Sequence, residues 1–342
     1  MNILVTGGAG FIGSNFVHYW IEKYPSDNLV VFDKLTYAGN LENIKEVLRD
    51  SRPNGAIFVK GDICNRDLLE KTLKDFEIDS IVHFAAESHV DRSIEAPDDF
   101  IQTNIIGTFN ILELLKKYPH IRLHHVSTDE VYGDLPLDKP EVKFTENSKY
   151  SPSSPYSASK AASDHLVRAY VRTYGIKATI SNCSNNFGPF CFPEKLIPLV
   201  ITRALYNQEI PVYGTGEQVR DWIHTRDHVY GIDLILRKGK LGETYLLGGN
   251  GERQNIWVVR KILEILGKPE NLIVHVGDRK GHDQRYAIDY SKARKDLGFE
   301  PLKNFEERLK ETIEWYKNNE DWWKESKKKA DIIAEKYLAQ RL

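Results

Sequence analysis

The sequence predicts an α/β protein, a doubly wound parallel sheet followed by a smaller, mostly α-helical C-terminal lobe. Three observations lead there. Short apolar runs alternate with apolar residues at helical spacing through the first half of the chain. The turn after the first run is rich in glycine. After Asn182 the pattern changes to prolines and aromatics, as in Asn185-Asn186-Phe187-Gly188-Pro189-Phe190-Cys191-Phe192-Pro193. The expected division is residues 1–182 and 183–342, with some chain crossing between the two parts.

Taken in order, Ile3-Leu4-Val5 is the first strand. It runs into Thr6-Gly7-Gly8-Ala9-Gly10-Phe11-Ile12-Gly13, and Phe16, Val17, Trp20 and Ile21 continue at helical spacing. Glycines 8, 10 and 13 satisfy G-x-G-x-x-G; glycines 7, 10 and 13 satisfy the looser G-x-x-G-x-x-G. Small residues let a backbone approach a pyrophosphate, and a helix N-terminus offers free N–H groups. The second strand, Leu29-Val30-Val31-Phe32, ends in Asp33, 20 residues after Gly13. An acid there suits both hydroxyls of an adenosine ribose and repels a 2′-phosphate, which favours NAD over NADP.

The alternation continues with Ala56–Val59, ending in Gly61-Asp62-Ile63, and Ser80–Phe84, ending in Ala85-Ala86-Glu87-Ser88. Leu68, Leu69, Leu73 and Phe76 mark the helix between them. Asp62-Ile63 could contact an adenine, or Asp62 could only cap the next helix. Ala85-Ala86 is small enough for a cofactor to pass close by. Phe100–Lys117 reads as one helix, apolar nearly all round. Thr103 and Asn104 are its polar exceptions, reaching a cofactor or satisfied in the core.

Arg122–Thr128 is a strand whose end delivers Ser127, Thr128, Asp129 and Glu130. Ligands of parallel sheets bind at such ends. Pro136, Pro140, Pro152 and Pro155 punctuate a polar connection that would serve as a lid or substrate wall. A helix from Tyr156 to about Tyr174 places Lys160 one turn beyond Tyr156, on the same face. Lys177–Asn182 is a further strand. In the second part, helices are expected at 194–207, 227–237, 255–266, 291–297 and 305–317, with a short strand at 210–213. The last segment, with Trp322 and Trp323, reads as an amphipathic helix with Lys327-Lys328-Lys329 on a solvated face.

Composition excludes several classes. The net charge of −2 gives no electrostatic case for nucleic acid. No apolar run approaches the ~20 residues that span a bilayer. Met1-Asn2-Ile3-Leu4-Val5 runs straight into a strand pattern without a basic n-region. Three cysteines, Cys64, Cys183 and Cys191, show no Cys-x-x-Cys spacing. No disulfide framework or metal site is expected, and a reducing cytoplasm is the expected location.

The chemistry gathers on two stretches. A phenol with a pKa near 10 becomes a base when a cation favours the phenolate, so Lys160, with a positive nicotinamide, would let Tyr156 take a proton from a sugar hydroxyl as hydride leaves the same carbon. The bland reading is a surface i,i+4 pair. Alcohol oxidation does not require Asp129-Glu130. Two carboxylates become useful if the reaction continues past a ketone: one takes the acidified proton at carbon 5, while the other, protonated, donates to the hydroxyl leaving carbon 6. Otherwise Asp129 caps a helix and Glu130 sits in solvent.

The motifs T-G-G-A-G-F-I-G, D-K-L-T-Y-A-G-N, S-T-D-E-V-Y-G, Y-S-A-S-K and D-R-K-G-H-D-Q-R-Y-A-I-D resemble those of the dTDP-glucose 4,6-dehydratases, in the extended short-chain dehydrogenase/reductase superfamily. The likeness covers essentially the whole chain. Thr128-Asp129-Glu130 is its selective part, since related epimerases and decarboxylases share the tyrosine and lysine but not the acid pair. The resemblance implies a Rossmann fold, tightly bound NAD regenerated at each turnover, dTDP-glucose as substrate, deoxysugar supply (typically for rhamnose) and a homodimer. It makes Tyr156 the base at carbon 4, tuned by Lys160, which also holds the nicotinamide ribose. Thr128 bonds the carbon 4 oxygen, Glu130 takes the carbon 5 proton, and Asp129 protonates the departing hydroxyl. Positions matching the family's cofactor site are Gly7, Gly10, Phe11, Ile12, Gly13, Asp33, Lys34, Leu35, Thr36, Asp62, Ile63, Phe84, Ala85, Ala86, Thr103 and Asn186, with Tyr156 and Lys160. Those matching its substrate site are Ser88, Thr128, Asn185, Lys195, Leu196, Pro211, Tyr213, Arg220, Asn255, Asp278 and His282. Arg220 suits a diphosphate, since its fork binds two oxygens at once. Phe187, Phe190, His224-Thr225 and Lys280 depart from the family pattern outside the catalytic set. Two alternatives are a nucleotide-sugar epimerase or decarboxylase on the same scaffold, and a non-catalytic NAD-sensing protein.

Overall fold

The computed structural model describes residues 1–51, 54–278 and 281–342. Lys280 therefore lies outside the described residues. The first six strands are β1 (Asn2–Thr6), β2 (Asn28–Asp33), β3 (Ile57–Lys60), β4 (Ser80–His83), β5 (Arg122–Thr128) and β6 (Lys177–Cys183). With a strand at Thr244–Leu247 they form one seven-stranded sheet. Its order is Thr244–Leu247, β6, β5, β4, β1, β2, β3. Every pairing is parallel. Strand order reverses between β1 and β4, so a crevice opens at their carboxyl ends.

The strands alternate between two cores, as a pleat requires. Ile3 and Val5 face one core, Leu4 the other; Leu29 and Val31 join the first, Val30 and Phe32 the second. Both faces are covered by helices, among them Phe11–Lys23 on one side and Thr108–Lys117 on the other. A third core, built around Phe187, Val200, Val259, Leu309 and Trp323, holds the C-terminal helices together.

Several expectations change. Thr244–Leu247 escapes the sequence pattern because a four-residue buried run has no alternation to reveal it. The Phe100–Lys117 helix is not uniform. It is π-helical over Ile101–Gly107 and α-helical over Thr108–Lys117. The wider turn shifts the phase of the apolar stripe, leaving Ile101 and Ile106 exposed rather than buried. The proline-punctuated connection does not wall the cleft. Arg285 donates to the carbonyls of Pro140 and Val142, and Phe144 pairs with Ala287, strapping the segment to residues 285–289.

Lys327 is not on a solvated face. It is 5% exposed, bound to Gln208 and Asp331 within the Glu320–Leu338 helix packing. Arg203, also buried, pairs with Asp331 and Glu335, each at 2.7 Å, and fastens the same helix. Beyond it, Leu342 donates to the carbonyl of His275 at 3.1 Å. No helix among the described residues is long and apolar enough to cross a membrane.

Candidate active site

A cavity of about 470 Å³ runs along the carboxyl ends of the strands and under the C-terminal lobe. At one end is the glycine turn. Gly7, Gly10 and Gly13 line the cavity; Gly8 does not, its α-carbon facing Val31. A Cβ on Gly7 would stand 2.5 Å from the amide nitrogen of Ala85, and one on Gly13 2.2 Å from the Gly7 carbonyl oxygen. These two glycines make the turn itself possible. Gly10 is different: a Cβ there meets only the Gly7 carbonyl oxygen, at 3.2 Å. Its missing side chain leaves room for a ligand. Gly10 also caps the Phe11–Lys23 helix without a side-chain acceptor, so the first N–H groups are available to an anion.

Asp33, at the end of β2, receives the amides of Ala9 (2.9 Å) and Leu35 (2.8 Å). Burial pushes its carboxyl up, and these two amides pull it back. Leu35 supplies an amide and stands off the cavity wall, with φ of 57°. Lys34 pairs with Asp62 at 2.7 Å. Burial would raise Asp62, but the lysine holds it below the usual carboxylate range. Asp62 also accepts from the Cys64 amide at 2.8 Å, but the cap of the following helix is Asn65, so Asp62 lines the cavity and does not cap. Thr36, Ile63, Phe84, Ala85, Ala86 and Thr103 all face the cavity. Asn104 is the satisfied polar residue of its pair. It exchanges bonds with the Glu87 amide (2.9 Å) and carbonyl (3.0 Å) and donates to Ser159 at 2.8 Å.

Thr128, Glu130, Tyr156 and Lys160 meet in the middle. Ser154 and Pro155 start the Pro155–Tyr174 helix with a capping box, which turns Tyr156 and Lys160 toward the end of β5. Both are buried. Burial and then the Glu130 charge push the Tyr156 phenol well above its ordinary value; Thr128 acts the other way. Lys160 is not among the largest influences on the phenol. Its ammonium donates to the Val126 carbonyl at 2.8 Å, and burial lowers its pKa. Asp129 is 1% exposed and stands behind the wall that Thr128 and Glu130 line. Burial, then the carboxylates of Glu130 and Asp221, push it well above the usual range. That shift favours the protonated form of the acid.

At the far end the cavity meets Ser88, Asn185, Asn186, Lys195, Leu196, Pro211, Tyr213, Arg220, Asn255 and His282. Asp278 lies off the wall and bonds Nδ1 of His282 at 2.7 Å. Two guanidinium nitrogens of Arg220 already donate to the carbonyls of Val219 and Asp283, each at 2.8 Å, and the group stacks on Tyr286. Its fork is thus fixed by backbone before any diphosphate arrives.

Sequence reasoning missed other wall residues. Glu194 accepts from Tyr37 at 3.1 Å and stands 3.7 Å from His89; it immediately precedes Lys195, the one signal available. Ala330, Ala334 and Tyr337, from the terminal helix, also line the cavity. Their spacing of small and aromatic residues was the visible hint of a covered face.

Does this cavity fit a dinucleotide and a sugar nucleotide? Six buried polar atoms on its wall have no hydrogen-bond partner among the described residues: Ser127 Oγ, Ser184 Oγ, Asn185 Oδ1, Gln218 Oε1, Trp222 Nε1 and Asn255 Oδ1. Buried polar groups are otherwise nearly always paired, so the cavity is built for polar ligands. With the glycine turn, Asp33 and the Tyr156–Lys160 pair, the residues present fit NAD. No metal-binding group of side chains occurs among the described residues.

Fold and site together define an NAD-dependent short-chain dehydrogenase/reductase adapted to nucleotide sugars. The family model for GDP-mannose 4,6 dehydratase matches residues 4–312. The Escherichia coli dTDP-glucose 4,6-dehydratase is 50% identical, with 94% of this chain and 95% of that protein covered. The Bacillus anthracis dTDP-glucose 4,6-dehydratase in complex with NAD superposes with a TM-score of 0.88 at 49% identity, over 95% of this chain and 99% of that one. A Streptomyces venezuelae dTDP-glucose 4,6-dehydratase with NAD bound gives 0.90 at 45% identity, over 95% and 100%. The chain belongs to the dTDP-glucose 4,6-dehydratase family.

Proposed function

We propose that the protein converts dTDP-glucose to dTDP-4-keto-6-deoxyglucose and water. The observation that carries this reading is the pair of adjacent acids at the end of β5, Asp129 buried with its pKa raised and Glu130 on the cavity wall, within the same site as Tyr156. A hydroxyl cannot leave carbon 6 easily without a proton, and a buried neutral carboxyl is a proton donor at pH 7.

NAD, when bound, would supply a reversible store for the hydride that leaves carbon 4 and is needed at carbon 6. The glycine turn and the helix N-terminus would hold its pyrophosphate and Asp33 its adenosine ribose, while Lys160 would hold the nicotinamide ribose. Thr128 orients the carbon 4 oxygen. Tyr156 takes the proton from that oxygen, aided by positive charge from Lys160 and the oxidised nicotinamide against the burial that raises the phenol. The resulting ketone acidifies carbon 5, and Glu130 removes its proton. Asp129 gives its own proton to the carbon 6 hydroxyl as it departs. Lys195, Arg220 and His282 would receive the diphosphate and Tyr213 the base, with Ser88, Asn185 and Asn255 completing the polar contacts. An epimerase would need no such acid pair.

The homodimer belongs to the same proposal and is tested by sedimentation. For the activity, the protein is incubated with the dTDP, UDP, GDP and CDP forms of glucose and the products are weighed by mass spectrometry. Loss of one water from the dTDP form supports the reading; an unchanged mass with all four sinks it.

A further inference from the structure

The helix that carries Tyr156 and Lys160 bears a third ionisable group one turn further on. Asp164 is fully buried and, four residues after Lys160, lies on the same helix face. Its partners come from other elements. Tyr150 donates to Oδ2 at 2.7 Å, and the Asn182 amide donates to the same oxygen at 3.0 Å. Nε2 of His125, on β5, is 3.2 Å from Oδ1. Asn182 also donates to the Thr128 carbonyl at 3.0 Å. The end of β5 is therefore held from behind by two hydrogen bonds, from Lys160 to the Val126 carbonyl and from Asn182, itself anchored on Asp164, to the Thr128 carbonyl, while His125 lies against Asp164.

A buried ammonium needs a counter-charge. Lys160 is faced by Asp164 and Tyr156 on its own helix, by Cys183 on β6, and by His83 and His125 on β4 and β5. Burial pushes the Cys183 thiol up to about 12 and lowers both histidines, so none of the three offers the lysine a counter-charge. Asp164 is the strongest negative influence on the lysine. It is itself faced by Lys160, Arg168, Tyr150, Tyr132 and His125. The dehydratase roles above assign no part to it.

We propose that Asp164 is a positioning residue for the oxidation at carbon 4: its carboxylate holds Lys160 as an ammonium and, through His125 and Asn182, fixes the strand end that presents Thr128. This rests on the functional reading above. It predicts a defect in the charge of Lys160, which a merely structural role would not produce.

The test compares wild type, Asp164→Asn and Tyr150→Phe. The phenylalanine variant removes a hydrogen bond to the same oxygen and leaves the charge. Turnover of dTDP-glucose is followed from mildly acidic to alkaline pH, and NAD affinity of the cofactor-stripped proteins is measured at the same pH values. In Asp164→Asn the alkaline limb of kcat should move down by about one pH unit or more. KM should change little, and NAD affinity should decline along the same limb. Tyr150→Phe should lose stability and keep the wild-type limb. An Asp164→Asn protein whose limbs superpose on wild type, however unstable it is, overturns the proposal. If that variant is insoluble, Asp164→Glu, which keeps the charge, must keep the wild-type limb; a displaced limb there overturns it too. Should wild type not convert dTDP-glucose, the functional reading fails alone, and the pH dependence of NAD affinity still decides the role of Asp164.

Discussion

Asp129→Asn separates the two halves of the reaction and tests the protonation state of the acid by a second, thermodynamic route. Asparagine matches the neutral carboxyl in shape but gives up no proton. Removing a general acid costs about 10²–10⁴ in rate, so release of dTDP-4-keto-6-deoxyglucose should fall by that factor. Tyr156, Thr128 and Glu130 remain, so oxidation at carbon 4 and proton removal at carbon 5 continue. In heavy water the recovered dTDP-glucose should gain one deuterium, seen by mass spectrometry, and the double variant with Glu130→Gln should not exchange. Stability supplies the second reading. Folded Asp129, raised by burial and by Glu130, keeps its proton above the pH at which the unfolded chain releases it. The folded state then binds more protons, and stability falls as pH rises through that window, by about 1.4 kcal/mol per pH unit. The asparagine variant escapes this loss. It should match wild type below about pH 4 and gain about 1.4 kcal/mol for each unit above that, until folded Asp129 itself ionises. Urea melts at acidic and neutral pH measure the difference. A variant that is less stable than wild type at neutral pH refutes the neutral acid, and with it the assigned role.

Two further outcomes follow from the geometry. Gly13→Ala puts a methyl 2.2 Å from the Gly7 carbonyl oxygen and should cost about 1–3 kcal/mol of stability, whereas Gly10→Ala, with a nearest neighbour at 3.2 Å, should melt like wild type but be purified without NAD; thermal melts and the nucleotide content of the purified proteins check both. Acid should unfold the protein early. Burial lowers His224 and His228 to about 3, so the unfolded chain takes up protons below about pH 6.5 that the folded chain refuses, and each histidine removes about 1.4 kcal/mol per pH unit as pH falls. His228→Gln should flatten that slope in pH-dependent urea melts; an unchanged slope contradicts the assignment.

What the sequence disclosed follows the range of the interactions. The first strand, glycine turn and second strand were legible because residues within about one supersecondary unit determine them. The helices Asn255–Leu266 and Ser291–Leu297 fall at the expected bounds, each stopped by a left-handed glycine, Gly267 and Gly298. Thr244–Leu247 was hidden because its four buried residues show no alternation by which a strand could be recognised. The wall formed by Ala330, Ala334 and Tyr337 was only hinted at by their spacing, because the helix that carries it is fastened at long range, by Arg203. Lys327 looked solvated because a charge run usually is; the carboxylate of Asp331, one turn on, accompanies it into the interior. Residue identity placed Tyr156, Lys160, Asp129 and Glu130 near one another, but it could not supply their protonation states, which depend on burial and neighbouring charge.

Asp129 and Asp164 make that last point quantitative in direction. Both sit behind the end of β5, at 1% and 0% exposure, so desolvation raises each of them. Asp164 receives hydrogen bonds from Tyr150 and Asn182 and lies beside His125 and Lys160; these overcome burial and hold it below the ordinary carboxylate range. Asp129 has one long contact, from the Thr128 hydroxyl at 3.4 Å, and its Oδ2 has no hydrogen-bond partner among the described residues. Its neighbours Glu130 and Asp221 are carboxyl groups, which add to the penalty of burial. Equal burial therefore goes with opposite pKa shifts, and the supply of donors and cations decides the direction. A carboxylate that must support a buried lysine has been given donors; a carboxyl that must yield a proton has been denied them. The dehydratase needs both within one layer of the sheet, and exchanging their surroundings would disable each while leaving the fold unchanged.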